Sequence, residues 1–365
     1  MYTSSIYCIF EPFKLLWHAM SKPYNTLHEL DWEQFFESGY LLEDLATNTI
    51  WVGYGQSDSS ALSFFHTKFF QKKMILNHPK TVFIVDRELF WIDFDRFCLK
   101  NFKLSQSVSI DKEFLTEAKE LVEVIKSGDF EKIVPVTFKG YEYEGHPLIT
   151  LLKLRSLQGN TYGFWGENGG VLGCSPEILY RRDNGVDEFL ALAGTAEIKN
   201  KFSARNLIES EKDQKEHALV VKDIKSKLQS VGYREIELSK TETVEFGPLV
   251  HLRTKIKALS GDVRISNLIA KLHPTAALCG YPEEKAMAYL KNLEHYQLHG
   301  EDRLFGGIFG IEYEDFSLAV VMIRNLQWQG KKLWIQSGCG IVEASDPELE
   351  LNEVRSKRKT IEDLI

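Results

Sequence analysis

The turn Asp183-Asn184-Gly185 lies between two apolar runs, 170–182 and 189–193. Asn-Gly tolerates the positive φ values of a type I′ turn, whose twist suits two antiparallel strands, so this stretch predicts a hairpin. A second hairpin is predicted where Gln329-Gly330 separates 316–328 from 332–337. Further strands are expected over 81–85 and 89–94, joined by a turn at 86–88, and over 132–138. Phe114, Ala118, Leu121, Val122 and Ile125 recur at helical spacing, which predicts a helix over 113–126 that ends near Gly128. Longer helices are expected over 204–229 and from Pro347, with Asp346 as N-cap. Hairpins interrupted by helices, without regular βαβ alternation, predict an α+β fold with large, mainly antiparallel β-sheets and helices packed on their outer faces. The polar, Ser-rich stretch 101–111 reads as a loop between subdomains. It sets an intimately packed, β-rich supporting part, 1–105, against a catalytic region, 106–365.

Composition narrows the class. The 365 residues carry a net charge of −8, and an acidic chain lacks the basic footprint that a phosphate backbone requires. Five scattered cysteines, none in a CxxC pair, fit a reducing compartment rather than a disulfide framework or a zinc cluster. The first twenty residues have no basic region ahead of their apolar ones and include Glu11 and Lys14, so no signal peptide is expected. No uncharged apolar run approaches the ~20 residues needed to span a bilayer. The expectation is a cytoplasmic protein with neither nucleic acid nor membrane as partner.

Four constellations could carry chemistry. Glu350, Glu353 and Lys357 follow i, i+3, i+7 spacing on the C-terminal helix, preceded by the Gly338-Cys339-Gly340 turn, where backbone N–H groups could approach an anion. Asp213 and Glu216 share a face of the long helix, with Glu216 near the apolar stripe of Val220, Ile224 and Leu228. Carboxylates from two helices would suit Mg²⁺, though for each helix taken alone a solvated charged face is the commoner explanation. Glu177 interrupts an apolar strand after Ser175-Pro176, an awkward place for packing alone and a fitting one for a proton donor of raised pKa. Lys132 opens another strand; a lone lysine there more often faces solvent.

In order, the segments EKIV, GCSPEILYRR, LAGTAE, ESEKDQKEHALVV, LHPTAALCGYP, FGGIFG, VVMIRN and QSGCGIVEASDPELELNEVRSKR resemble the chorismate-utilising enzymes over about 113–365. These include isochorismate, salicylate, anthranilate and aminodeoxychorismate synthases. The resemblance implies Mg²⁺ held by Glu216 and Glu353, with Glu350 acting through water. It implies that Arg324, Lys357 and the backbone around Gly338 and Gly340 hold the substrate carboxylates. Gly194 would line the ring, with Thr195, His251, Ala277 and Leu278 completing the substrate pocket. Lys132 would activate water for attack at C2, and Glu177 would protonate the departing C4 hydroxyl. Ala193 stands where aminodeoxychorismate synthases place a nucleophilic lysine, and Ala277 where pyruvate-eliminating relatives carry threonine. The resemblance therefore implies an isochorismate synthase, acting without an obligatory glutaminase partner and serving menaquinone or siderophore synthesis, of which menaquinone is the commoner need. A salicylate synthase, an ammonia-using synthase and a non-catalytic chorismate-binding protein are the alternatives. In one place the chain departs from the family. Pro135-Val136-Thr137 replaces a Leu-Ser-Arg type sequence, which predicts a bulge or edge at Pro135 and removes a cation expected beside Lys132.

Overall fold

A computed structural model describes residues 27–98, 100–259, 261, 263–293 and 303–365. The expectation about a signal peptide falls on residues outside this set. Two nine-stranded sheets dominate, and every strand pairing is antiparallel. The first sheet runs Thr81–Asp86, Thr49–Tyr54, Gly39–Asp44, Asn160–Gly166, Gly169–Ser175, Asn325–Gln329, Lys332–Gly338, Val136–Gly145 and Phe102–Ser109. The second runs Ile236–Leu238, Leu249–Leu259, Val186–Glu197, Ile178–Asp183, Phe316–Val321, Ile308–Tyr313, Leu62–His66 and Ile75–Asn77, with Glu242–Phe246 also pairing to Leu249–Leu259.

The sheets face one another across a core that takes Leu42, Tyr162 and Val171 from the first and Phe64, Phe309 and Val320 from the second. Helices cover both outer faces. Glu211–Ser230 packs on Val186–Glu197 of the second sheet with Ile265–Leu272 beside it, whereas Asp111–Lys126 and Pro347–Glu362 pack on each other and on Val136–Gly145 and Lys332–Gly338 of the first. Arg87–Phe97 and Leu151–Leu154 close the outer face of the first. N-terminal strands enter both sheets. Gly39–Asp44 pairs with Asn160–Gly166, and Leu62–His66 with Ile308–Tyr313.

Several expected elements differ. The strand expected over 89–94 belongs to the helix Arg87–Phe97, because Asp86 caps it, accepting from the Glu88 and Leu89 N–H groups, and Phe90, Trp91 and Phe94 share a buried face. The expected loop over 101–111 contains the strand Phe102–Ser109. Its mostly exposed, polar side chains mark a sheet edge and hide the period-two signal. The helix expected over 204–229 is two, Ser203–Glu209 and Glu211–Ser230, divided at Ser210, whose hydroxyl caps the second. The strand expected over 132–138 breaks at Pro135: Lys132–Ile133 leaves to pair with Gly280–Tyr281, and Val136 begins a strand of the first sheet. Asn184 and Gly185 adopt φ values of 50° and 76°, as the hairpin turn requires.

Candidate active site

The runs 170–182 and 316–328 each read as one strand, yet each crosses from one sheet to the other. Gly169–Ser175 lies in the first sheet and Ile178–Asp183 in the second, with Pro176 and Glu177 between. Phe316–Val321 lies in the second sheet and Asn325–Gln329 in the first, with Met322, Ile323 and Arg324 between. The crossings are bonded together: the Val321 N–H donates to the Glu177 carbonyl at 3.0 Å, and the Cys174 N–H to the Arg324 carbonyl at 3.1 Å. Arg324 takes φ of 52°, a left-handed conformation that costs a non-glycine residue energy and is characteristic of functional sites.

Glu177 and Arg324 face one cavity of about 610 Å³, counting the solvent at its mouth. Gly194, Thr195, Glu216, His251, Ala277, Leu278, Gly338, Gly340 and Lys357 also line it. Three expected residues do not line its wall. Lys132 is completely buried beside Gly340, and Glu350 and Glu353 sit on the Pro347 helix. Leu192, Phe305 and Ile323, absent from the expected set, form apolar wall. Their signal was present, since each lies within a quoted motif, LAGTAE, FGGIFG and VVMIRN respectively.

Local structure explains the presentation. At Gly194 the register between Val186–Glu197 and Leu249–Leu259 slips, and its φ of 79° forms a bulge that only glycine adopts without strain. Thr195 then pairs across to His251, with 3.0 Å between Thr195 Oγ1 and His251 Nδ1. Burial, with Arg324 and Lys357 nearby, holds the His251 imidazole well below its ordinary pKa and hence neutral at pH 7. The Glu211 helix also fixes the loop that carries Ala277 and Leu278. Asp223 accepts from the Ala276 N–H at 3.0 Å, and Lys227 donates to the Pro274 carbonyl at 2.7 Å.

Charge is tightly organised. Lys132 Nζ lies 2.9 Å from Glu216 Oε1, Lys357 Nζ 2.6 Å from Glu353 Oε1, and Lys212 Nζ 2.6 Å from Glu350 Oε1. Gly340 makes room for the first pair: a Cβ there would stand 2.3 Å from Glu216 Oε1 and 2.4 Å from Lys132 Cε. Gly338 presents its carbonyl, not an N–H, to Lys357 Nζ at 3.1 Å. Burial pushes the Glu177 carboxyl up to about 8, only partly offset by Lys132, Arg324 and Lys357, and its Oε1 has no hydrogen-bond partner. Burial also lowers Arg324 to about 10, against the pull of Glu353 and Glu177. Glu216 would rise through burial, but Lys132 and Lys212 overcome this and keep it below the usual carboxylate range. Glu350 is raised by burial and by Glu353 beside it.

Thr137, where the resemblance leads to the expectation of an arginine, donates to Asp111 at 3.3 Å, and Asp111 is held by Arg355 and Arg358 from the Pro347 helix. As donors, Glu216, Glu350 and Glu353 are hard oxygen ligands of the kind Mg²⁺ prefers, and Glu353 is near enough to Glu350 to raise it. The donor set therefore fits Mg²⁺ chemically. Among the described residues, no three acidic, histidine or cysteine side chains converge closely enough to hold an ion as they stand. Nor, among those residues, is any helix long and apolar enough to cross a membrane.

The chain is similar to several known proteins. Isochorismate synthase MenF of Haemophilus influenzae is 32% identical over 248 residues, which is 64% of this chain and 56% of that protein. Isochorismate synthase EntC of Escherichia coli is 33% identical over 203 residues, 53% of this chain and 51% of that protein. The chain thus spans about half the length of these curated relatives. The structure of MenF, the menaquinone-specific isochorismate synthase from Escherichia coli, shares the fold with a TM-score of 0.75 at 17% identity, covering 96% of this chain and 98% of that one. Residues 99–363 match the family model described as chorismate binding enzyme. With the crossed sheets and the cavity between Glu177 and Arg324, that match over most of the sequence means that the chain belongs to the chorismate binding enzyme family.

Proposed function

We propose that this protein is an Mg²⁺-dependent isochorismate synthase that converts chorismate to isochorismate in the cytoplasm for menaquinone synthesis. One observation carries the reading: the buried Glu177 carboxyl, with a pKa of about 8 and an unpartnered oxygen, holds a proton at neutral pH in the cavity. Hydroxide is a poor leaving group until it is protonated, and Glu177 supplies that proton to the C4 hydroxyl. Lys132 takes the proton of the water that attacks C2, which it can do once its amine is neutral. Arg324 and Lys357 pair with the substrate carboxylates. Glu216 and Glu353, with Glu350 acting through water, would hold Mg²⁺, whose part is to fix the ring carboxylate and offset its charge in this acidic surrounding. Ala193 provides no nucleophilic amine and Ala277 no hydroxyl, so the reaction ends at the hydroxyl transfer and needs no glutaminase partner.

The test is the product spectrum. Chorismate and Mg²⁺ should give isochorismate on chromatography, with no anthranilate, no pyruvate above background and no response to ammonium. Pyruvate release would make it a salicylate synthase, ammonium-dependent product an amine-forming synthase, and unchanged chorismate a binding protein.

A further inference from the structure

Lys212 and Glu216 lie one turn apart on the Glu211 helix and share a face, as do Glu350, Glu353 and Lys357 on the Pro347 helix. Each carboxylate assigned to the metal is already matched by an ammonium: Glu216 by Lys132, Glu353 by Lys357 and Glu350 by Lys212. Lys132 and Lys357 belong to the reaction as read above. Lys212 does not. Its ammonium is attracted by Glu350, Glu216 and Glu353 together, all three of the assigned carboxylates. Glu350 is 1% exposed, and a buried carboxylate left without a cation is costly, so its charge must be balanced whether or not a metal is bound. The Lys212 side chain keeps 28% of its surface in solvent, which leaves it a way out.

We propose that Lys212 is the resident counter-ion of the acidic site: it balances Glu350, Glu353 and Glu216 in the metal-free protein and is displaced from Glu350 when a divalent cation enters. The inference rests on the Mg²⁺ reading above. Its consequence is that every loading event breaks the Lys212–Glu350 pair, so this residue weakens metal affinity while protecting the empty site.

The test is calorimetric titration of Mg²⁺ into the whole 365-residue chain without chorismate, for wild type, Lys212→Met and Lys222→Met. Lys222 lies on the same helix with its ammonium over the Tyr281 ring and serves as the control. Removing a unit charge this close to the cation should tighten Mg²⁺ binding about tenfold or more in Lys212→Met, with Lys222→Met matching wild type. Equal or weaker binding by Lys212→Met overturns the proposal, since a lysine that merely orients Glu350 would weaken binding when removed. If neither wild type nor Lys212→Met takes up Mg²⁺, the metal reading itself fails and this inference falls with it. Lysine acetylation of wild type, read by mass spectrometry, covers the case in which Lys212→Met does not fold. Lys212 should label faster at saturating Mg²⁺ while Lys222 does not change, and an unchanged or slower Lys212 rate also overturns the proposal.

Discussion

Glu177 and Arg324 occupy the two segments that carry the chain between its sheets, and the strand leading into each segment donates a backbone hydrogen bond to the other residue's carbonyl, from Val321 and from Cys174. The cavity's buried acid and buried guanidinium are therefore placed by main chain rather than by side-chain packing. Both are desolvated, so the Coulomb interaction between them is stronger than it would be in water.

Replacing Glu177 by Gln keeps shape and removes the proton. Turnover of chorismate should fall by about a hundredfold to ten-thousandfold, the usual worth of a positioned acid. Calorimetry should find chorismate bound within a few-fold of wild type. Wild-type turnover in this variant would remove Glu177 from the reaction.

The same residue sets a pH dependence. The acid must be protonated, so kcat/KM should decline as pH rises through about 8, and Glu177→Gln should lose that limb. Stability follows the same sign. The folded carboxyl is raised from 4.5 to about 8, so the folded state holds the extra proton between those values, and stability falls as pH rises across that window. Denaturant melts at pH 5 and pH 8 should show a drop in wild type that is smaller in Glu177→Gln.

Lys132→Met leaves Glu216 buried without its 2.9 Å partner. Breaking such a pair should cost about 3–5 kcal/mol in urea unfolding, whereas adding Glu216→Gln should recover much of the loss. A double variant no more stable than the single one would show that the pair does not act as a unit. Turnover should be lost in both.

Gly340→Ala introduces a Cβ against the Lys132–Glu216 pair. Activity should drop at least tenfold, because one side chain of the pair must move. Destabilisation should be about 1–3 kcal/mol, as for other overpacking changes. Wild-type kinetics would mean that the pair tolerates displacement.

The helices Asp111–Lys126 and Pro347–Glu362 are legible in sequence because apolar spacing and the Asp346 cap are local signals. The sheet crossings are not. Around Pro176 and around Ile323 the chain passes between two apolar environments, so hydrophobicity continues while the sheet partner changes. Glu177 was visible as a carboxyl out of place, and Glu216, Glu350 and Glu353 as charges at helical spacing. Lys212 was not singled out, because a lysine among Glu211, Asp213 and Lys215 reads as a solvated helix face. The Gly338 carbonyl facing Lys357 was missed for a related reason: the Gly-x-Gly pattern fixes close approach but not which backbone group is presented.

The interleaving of early and late strands also sets an order of events during synthesis. Leu62–His66 pairs with Ile308–Tyr313, so its partner leaves the ribosome roughly 250 residues later, a wait of about 10–50 seconds at ordinary elongation rates. Through that interval Phe64 and Phe65, fully buried in the finished protein, have only Ile75–Asn77 of their two neighbouring strands beside them. The nascent chain is thus most open to aggregation before its last third is made, and slow translation would lengthen that exposure.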